Sequence, residues 1–374
     1  MGTVETAAGG ATAPEPAASG AAERRGSRLG IGIPACASAA DVAEVVAQAE
    51  SAGLDSAWFL DAQLIWRDVY ATMALAAVRT SRIVLVPGIA LTTARHPTVV
   101  ASGINTVQEL APGRVGLGLG TGGLGYFLGT APRRLHEPRE DVMRVRALLA
   151  GEQVDYRQEG GYLVHLIGAA GTVPIYLSGG GPKVAELAGE VADGIILSVG
   201  TSPSVLRRAL ASVQVGLERS GRTLDDFDVA CTYFMHLTDD LERDLRLLKP
   251  TVCALASNTA GKQPSPFSAA LFAEAGADMP DPAKRPSGFF PAVGFAPDRE
   301  EAARLCQPAV ADEVALRLAS VGGLFGSADE IGRRLAAMSA AGADHHWALD
   351  IDCHRLPGDD IDVLGQLRRA ASWA

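Results

Sequence analysis

The chain has 374 residues, 48% hydrophobic and 20% charged, which supplies a sizeable core and excludes a disordered, collagen-like or coiled-coil protein. Lys+Arg 33 against Asp+Glu 43 leave a net charge of −10, which argues against general affinity for a nucleic-acid backbone. Five scattered cysteines with no CxxC pair suit a reduced, cytoplasmic protein without a disulfide frame or zinc site, and no stretch approaches the roughly 18 apolar residues of a membrane span.

Residues 1–27 are little but Ala, Gly, Pro and Glu; they lack the apolar core of a signal peptide and read as a disordered tail. From there short β-rich runs alternate with helical patterns. Strands are predicted at Leu29–Ile33, Ser56–Leu60, Arg82–Gly88, Arg114–Gly120, Pro174–Ser178, Gly194–Ser198, Asp228–Met235 and His346–Asp352. Ser38 caps the first helix, whose apolar face is Val42, Val45, Val46 and Ala49, and Gly53 ends it. Pro97, Pro182 and Pro203 stand where first helical residues belong, and Ser327 with Glu330 forms a capping box.

This rhythm predicts an α/β fold, a (β/α)8 TIM barrel over residues 28–374 with insertions after its fourth and seventh strands. An open doubly wound sheet is the alternative, but its nucleotide fingerprint is absent from the first β–α turn. Within Glu152–Gly171, VDYRQEGGYLVHL reads as a hairpin around Gly160–Gly161. Thr251–Val310, rich in Pro, Gly, Ser and Ala, reads as an irregular lid over 251–310.

In a barrel, chemistry sits on the loops that follow the strands. Gly118-x-Gly120-x-x-Gly123 formally matches a dinucleotide fingerprint, but a proline-broken loop follows where a helix should start. Two other readings stay open, a glycine-rich strand packed closely inside the barrel and a loop that brings amides up to a planar ring or a phosphate. SGGGPK is more informative. Gly179, Gly180 and Gly181 can turn amides inward, Pro182 opens a helix whose positive end faces the same spot, and Lys183 adds a charge: an anion site, or else a flexible turn. Near the mouth, Asp61, Arg67, Asp68, Tyr233 and His236 are available as proton donors, with His236 alternatively a hydrogen-bonded loop histidine. Trp66 reads as pocket wall, Arg67–Asp68 as an internal ion pair, and His96 as ordering its turn. His346, Asp350 and Asp352 alternate along a strand, His345 faces the other way, and none has metal-ligand spacing; Asp350 and Asp352 read as polar lining of the pocket.

Together these stretches resemble the luciferase-like monooxygenase superfamily, the flavin- and deazaflavin F420-dependent barrels that include bacterial luciferase and methylenetetrahydromethanopterin reductase. The carriers are AESAGLDSAWFLDAQLIWRDVY (Ala49–Tyr70), RIVLVPGIALTTARHP (Arg82–Pro97), LAPGRVGLGLGTG (Leu110–Gly122), VPIYLSGGGPKVAELAGEVADGII (Val173–Ile196) and FGSADEIGRRL (Phe325–Leu335). The DxQxxWRDxY and GGPK forms resemble the F420-using reductase branch more than the luciferase branch. The resemblance implies that Asp61 lies beside the cofactor ring, that Gly88-Ile89 is a non-prolyl cis peptide behind it, and that Gly120, Thr121 and Gly122 line the ring and its ribityl chain. Ser178 and Gly179–Gly181 would hold the phosphate. Two departures matter: Ala62 stands where many relatives carry His, and Gly122-Gly123-Leu124 where many carry GDS.

The function implied is hydride transfer from reduced F420 to a C=C, C=N or C=O bond of a small or peptide-like substrate, with Asp61 and His236 as catalytic residues and Trp66, Arg67 and Tyr233 toward substrate. The alternatives are a reduced-FMN-dependent monooxygenase and a cofactor-free scaffold or binding relative. A homodimer is implied by the resemblance, and the alanine-rich tail and arginine bias suggest a high-GC bacterium and a role in secondary metabolism.

Overall fold

The structure, a computed structural model, describes residues 27–63, 65–122, 134–257, 266–277, 299–306 and 311–370. Most of the expected tail, the whole of Gly123-Leu124 and parts of the expected lid therefore lie outside the described residues. Ser27 is described, and its hydroxyl donates to Ser339 Oγ at 3.0 Å.

The strands are β1 (Arg28–Ile33), β2 (Ser56–Phe59), β3 (Val84–Pro87), β4 (Ala90–Leu91), β5 (Leu117–Gly120), β6 (Val154–Asp155), β7 (Leu163–Val164), β8 (Ile175–Ser178), β9 (Gly194–Leu197), β10 (Asp228–Leu237), β11 (Leu324–Gly326) and β12 (His345–Asp350). The helices are α1 (Ala39–Ala52), α2 (Val69–Arg79), α3 (Pro97–Leu110), α4 (His136–Leu149), α5 (Pro182–Val191) and α6 (Pro203–Ser220). They continue with α7 (Leu241–Ser257), α8 (Pro266–Glu274), α9 (Arg299–Cys306), α10 (Asp312–Gly322), α11 (Ala328–Ala340) and α12 (Asp359–Ala370).

The main sheet runs β3-β2-β1-β12-β10-β9-β8-β5-β4, and all its pairings are parallel. It closes between β3 and β5, where the Leu85 amide donates to the Arg114 carbonyl at 2.8 Å and the Gly116 amide to the Leu85 carbonyl at 3.0 Å. Closure leaves the barrel strands β1, β2, β3, β5, β8, β9, β10 and β12, which correspond to the eight predicted from sequence. The fold is a TIM barrel.

Local chemistry explains the element ends. Ser38 accepts the Asp41 amide, and Gly53 takes a φ of 93° that glycine reaches without a side-chain clash. Pro97, Pro182 and Pro203 each open a helix, and the Ser327–Glu330 capping box forms in both directions. β6 and β7 pair antiparallel as the expected hairpin. Two short strands, β4 and β11, were not apparent in the sequence pattern, being only two and three residues long.

The excursion after the seventh barrel strand also differs from expectation. Its described parts are helical rather than irregular, with α7 carrying straight through Thr251 and α8 and α9 beyond it. The excursion begins at the end of β10 and returns through β11, which pairs with that same end: Met235 with Leu324 and Leu237 with Gly326.

Side chains alternate across each strand, so the barrel has an inner and an outer layer. The inner core is Trp58, Leu60, Val86, Tyr176, Ile196, Ala230 and Trp347. Trp58 stacks on Trp347 with centroids 5.0 Å apart and meets Tyr176 edge-on at 5.7 Å. Below this aromatic layer, at the amino ends of the strands, the Tyr176 hydroxyl donates to Asp228 at 2.6 Å and Arg28 pairs with Asp228 at 2.5 Å. Burial pushes Asp228 toward neutrality, but Arg28, His345 and Tyr176 hold its carboxyl below the usual range. The floor is thus closed by aromatic packing and the buried Arg28–Asp228–Tyr176 cluster, and the open end is the carboxyl end. No described helix is long and apolar enough to cross a membrane.

Candidate active site at the barrel mouth

The carboxyl ends of β2, β3 and β5 bring together Asp61, the Gly88-Ile89 peptide and Gly120. Gly88-Ile89 is cis, although no proline follows. Its neighbours are tight. A Cβ on Gly120 would stand 2.4 Å from Ile89 Cδ1, and one on Gly118 would stand 2.5 Å from the Pro87 carbonyl oxygen. These two glycines therefore seat the Ile89 segment, which supports the close-packing reading of GxGxxG. Thr121 is exposed, and Gly122 has a φ of 56° with its missing Cβ facing Leu91.

Asp61 is buried just past β2. Its Oδ2 accepts the Leu91 amide at 3.1 Å and an Arg95 guanidinium N–H. Its Oδ1 is buried and has no hydrogen-bond partner. An orphaned buried carboxylate oxygen is costly unless a ligand completes it, so it fits a group with an N–H or O–H to offer. Burial pushes the Asp61 carboxyl above its ordinary range; Arg95 and the Leu91 amide pull it back without cancelling the rise.

The second half of the site lies after β8. Ser178 and Gly179 are half-buried and Gly180 is exposed. A Cβ on Gly179 would meet Val184 Cγ1 at 2.4 Å, so the loop folds tightly onto the first turn of α5. Gly181 is the N-cap of α5 and brings no side chain to its amides, with Pro182 next. A helix start that no side chain caps is a fitting seat for a phosphate. Lys183 contributes less than the sequence suggests: it pairs with Glu186 at 3.2 Å and is 75% exposed, pointing along the outside of the helix. From the excursion, Pro266 at the head of α8 is 3.7 Å from where a Gly181 Cβ would stand, and Glu274 at its foot accepts from the Ser202 and Ser204 hydroxyls. α8 thus bridges the loops after β8 and β9.

Several residues fall elsewhere than expected. Tyr233 does not reach the mouth. It lies on the outer face of β10, fully buried, stacked on His346 with its hydroxyl 3.0 Å from His346 Nδ1. Arg67 does not pair with Asp68; it donates to the carbonyls of Ala35 and Cys36, while Asp68 caps α2 and pairs with Arg95 at 3.2 Å. Trp66 packs against both core layers and donates from Nε1 to the Cys353 carbonyl at 3.0 Å. His236 sits at the end of β10 with Nε2 3.2 Å from Asp244 of α7, so it is a hydrogen-bonded histidine held at the edge of the excursion. His96 orders its turn by accepting the Thr98 amide.

The strand of alternating His and Asp is structural. His345 points inward to Ser56 Oγ at 2.6 Å, and His346 points outward to Ser339 Oγ at 2.8 Å. Asp350 does not line the pocket: it accepts from Arg355 and faces Asp360 at the head of α12, whose carboxyl is pushed up to about 8 by burial and by Asp350. Among the described residues no group could hold a metal ion.

Sequence reasoning overlooked Arg95. It stands four residues past the strand that follows the cis peptide, in the run TTARHP. The one available signal is that a buried aspartate at a strand end needs a cation, and Arg95 is the arginine carried by the next loop.

The family model described as luciferase-like monooxygenase matches residues 12–345. A 5,10-methylenetetrahydromethanopterin reductase from Methanolobus tindarius is 34% identical over 197 residues, 50% of this chain and 59% of that protein. An F420-dependent glucose-6-phosphate dehydrogenase from Mycolicibacterium fortuitum is 34% identical over 212 residues, 50% of this chain and 62% of that protein. The matched stretch thus spans about three fifths of these relatives. Among solved structures, the coenzyme F420 dependent tetrahydromethanopterin reductase from Methanopyrus kandleri superposes with a TM-score of 0.68 at 21% identity, covering 91% of this chain and 98% of that one. With the model matching well over half its length, this chain belongs to the luciferase-like monooxygenase family.

Proposed function

We propose that the chain is an oxidoreductase that uses reduced F420 as hydride donor to an electrophilic C=C, C=N or C=O bond of a small or peptide-like substrate. The observation that carries the reading is the pairing of an orphaned buried carboxylate oxygen on Asp61 with an uncapped helix start behind Gly179–Gly181. One end suits a ring bearing hydrogen-bond donors and the other its phosphate. The F420-dependent relatives support the choice of cofactor.

Bound reduced F420 supplies the hydride. The protein's part is to place it. Asp61 holds the ring edge, Ile89 backs it, Gly120, Thr121 and Gly122 border it, and Ser178 with Gly179–Gly181 takes the phosphate. Trp66 and Arg67 fix the carbonyls of Cys353, Ala35 and Cys36 and so shape the mouth from behind. His236, supported by Asp244, is the proton source proposed for the second atom of the reduced bond. α8 serves as lid.

The family description favours one other reading, a reduced-FMN-dependent monooxygenase. Separate titrations of the purified protein with F420 and FMN discriminate. Micromolar or tighter binding of F420 alone, with turnover, is expected; tight binding of FMN alone moves the assignment to the monooxygenase, and binding of neither ends the cofactor reading.

A homodimer accompanies this proposal. Val78 of α2, Val99 of α3 and Met143 of α4 are exposed, as are Tyr162 (80%) and Ile167 (86%) of the hairpin segment. Asn105 of α3 fastens that segment through the Gly168 carbonyl and the Ala170 amide, which sets Ile167 beside α3.

A further inference from the structure

We infer that Arg95 is a positioning residue for Asp61: it grips one carboxylate oxygen, keeps the group ionised, and leaves the other oxygen as an acceptor for the bound ring. This deepens the cofactor reading above and rests on it.

The grip is built from several elements. One guanidinium nitrogen of Arg95 donates to Asp61 Oδ2, and the other donates to Asp68 Oδ2 at 3.2 Å. Asp68 is itself fixed, because its Oδ1 accepts the Tyr70 and Ala71 amides at 3.0 Å each as the cap of α2. The guanidinium lies over the Tyr70 ring, 5.6 Å from its centroid, and that ring lies flat on α3, where a Cβ on Gly103 would come within 2.6 Å of it. Arg95 is thus held by two carboxylates and a ring face.

The charged and titratable groups facing Asp61 from the described elements are Arg95 from the loop after β4, Asp68 at the head of α2 and Tyr70 within α2. Of these charged groups Arg95 alone favours the carboxylate, joined by the Leu91 amide on the same oxygen. Burial and Asp68 both favour the neutral acid. Removing Arg95 shifts Asp61 toward the carboxylic acid, which donates a hydrogen bond where the carboxylate accepts one. The same atom then offers the ring the wrong partner.

The test reads the carboxyl itself in the cofactor-free protein. Aspartate labelled with 13C at the carboxyl is followed by NMR across pH, with Asp61→Asn identifying the signal. In Arg95→Met the Asp61 midpoint should rise by about one to three pH units, the size of a lost contact charge. Arg95→Lys, which keeps the charge, should stay within about half a unit of the parent, and F420 affinity should follow the ionised fraction. An unmoved midpoint in Arg95→Met, or a rise as large in Arg95→Lys, overturns the inference. Failure of the parent to bind F420 removes the cofactor reading instead, and leaves the titration to decide whether Arg95 governs Asp61.

Discussion

His345 and His346 are neighbours in sequence that face opposite layers of the barrel wall. Burial drives both toward the neutral imidazole, with a midpoint of about 3 for each; Arg28 adds to the effect at His345. An unfolded histidine takes up a proton near pH 6.5. Between that value and about 3 the unfolded chain therefore binds more protons than the folded one, and stability falls as pH falls. Each histidine is expected to cost about 2 kcal/mol on going from neutral pH to pH 5. Asp360, raised to about 8, works in the opposite sense and loses stability as pH rises toward that value. The clean reading is thus the gap in urea-unfolding free energy between the parent and His345→Gln, which should narrow by about 2 kcal/mol between pH 7.5 and pH 5. A gap that is independent of pH rules the buried neutral histidine out. The opposed faces of these two residues were legible from strand periodicity. The same counting along β10 places Tyr233 outside, once Ala230 is known to be inside. Arg95 was not legible, because its bond to Asp61 spans 34 positions and joins two loops that only closure of the barrel brings together.

Elements in this fold are fastened at their ends as much as along their faces. α2 stops at Arg79, and its last carbonyls are collected by Arg114, which donates to Ala77 O at 3.2 Å, to Thr80 O at 3.1 Å and to Ile83 O at 3.0 Å. One side chain thereby closes a helix end and ties it to the start of β3 and the approach to β5. Arg114→Met, similar in length and without donors, should lower unfolding free energy by about 2–3 kcal/mol, since bonds to a charged donor are lost together. Chemical denaturation checks this, and a loss under about 0.5 kcal/mol would mean that water replaces the arginine without penalty. Helix starts were readable because capping is local: Ser38, Pro97, Pro182, Pro203 and Ser327 each act within a turn of themselves. β4 and β11 were not, since two or three residues carry no period. Their pairing is set by partners elsewhere in the chain, Leu119 and Gly120 for β4, Met235 to Leu237 for β11.

At the level of the whole molecule, the barrel was readable because eight short apolar strands at helical intervals admit few closed arrangements. The flank proposed to pair with a second copy was not, because exposure depends on which faces the rest of the chain leaves uncovered. Sedimentation should give a mass near twice that of the 38.7 kDa chain. Val99→Glu combined with Ile167→Glu should shift it to the monomer while leaving the circular dichroism spectrum unchanged. A parent that sediments as a single chain would remove the dimer from the proposal. The excursion between β10 and β11 has a different consequence. Its two ends are clasped side by side, Leu237 against Gly326, so the gap that any intervening polypeptide must bridge is already set by the sheet. Under that condition doubling the length of the bridge costs only about 0.6 kcal/mol. The excursion is then an interchangeable cartridge. The barrel can keep its fold while the bridging chain changes in length and sequence, provided that Asp244, which holds His236, is retained.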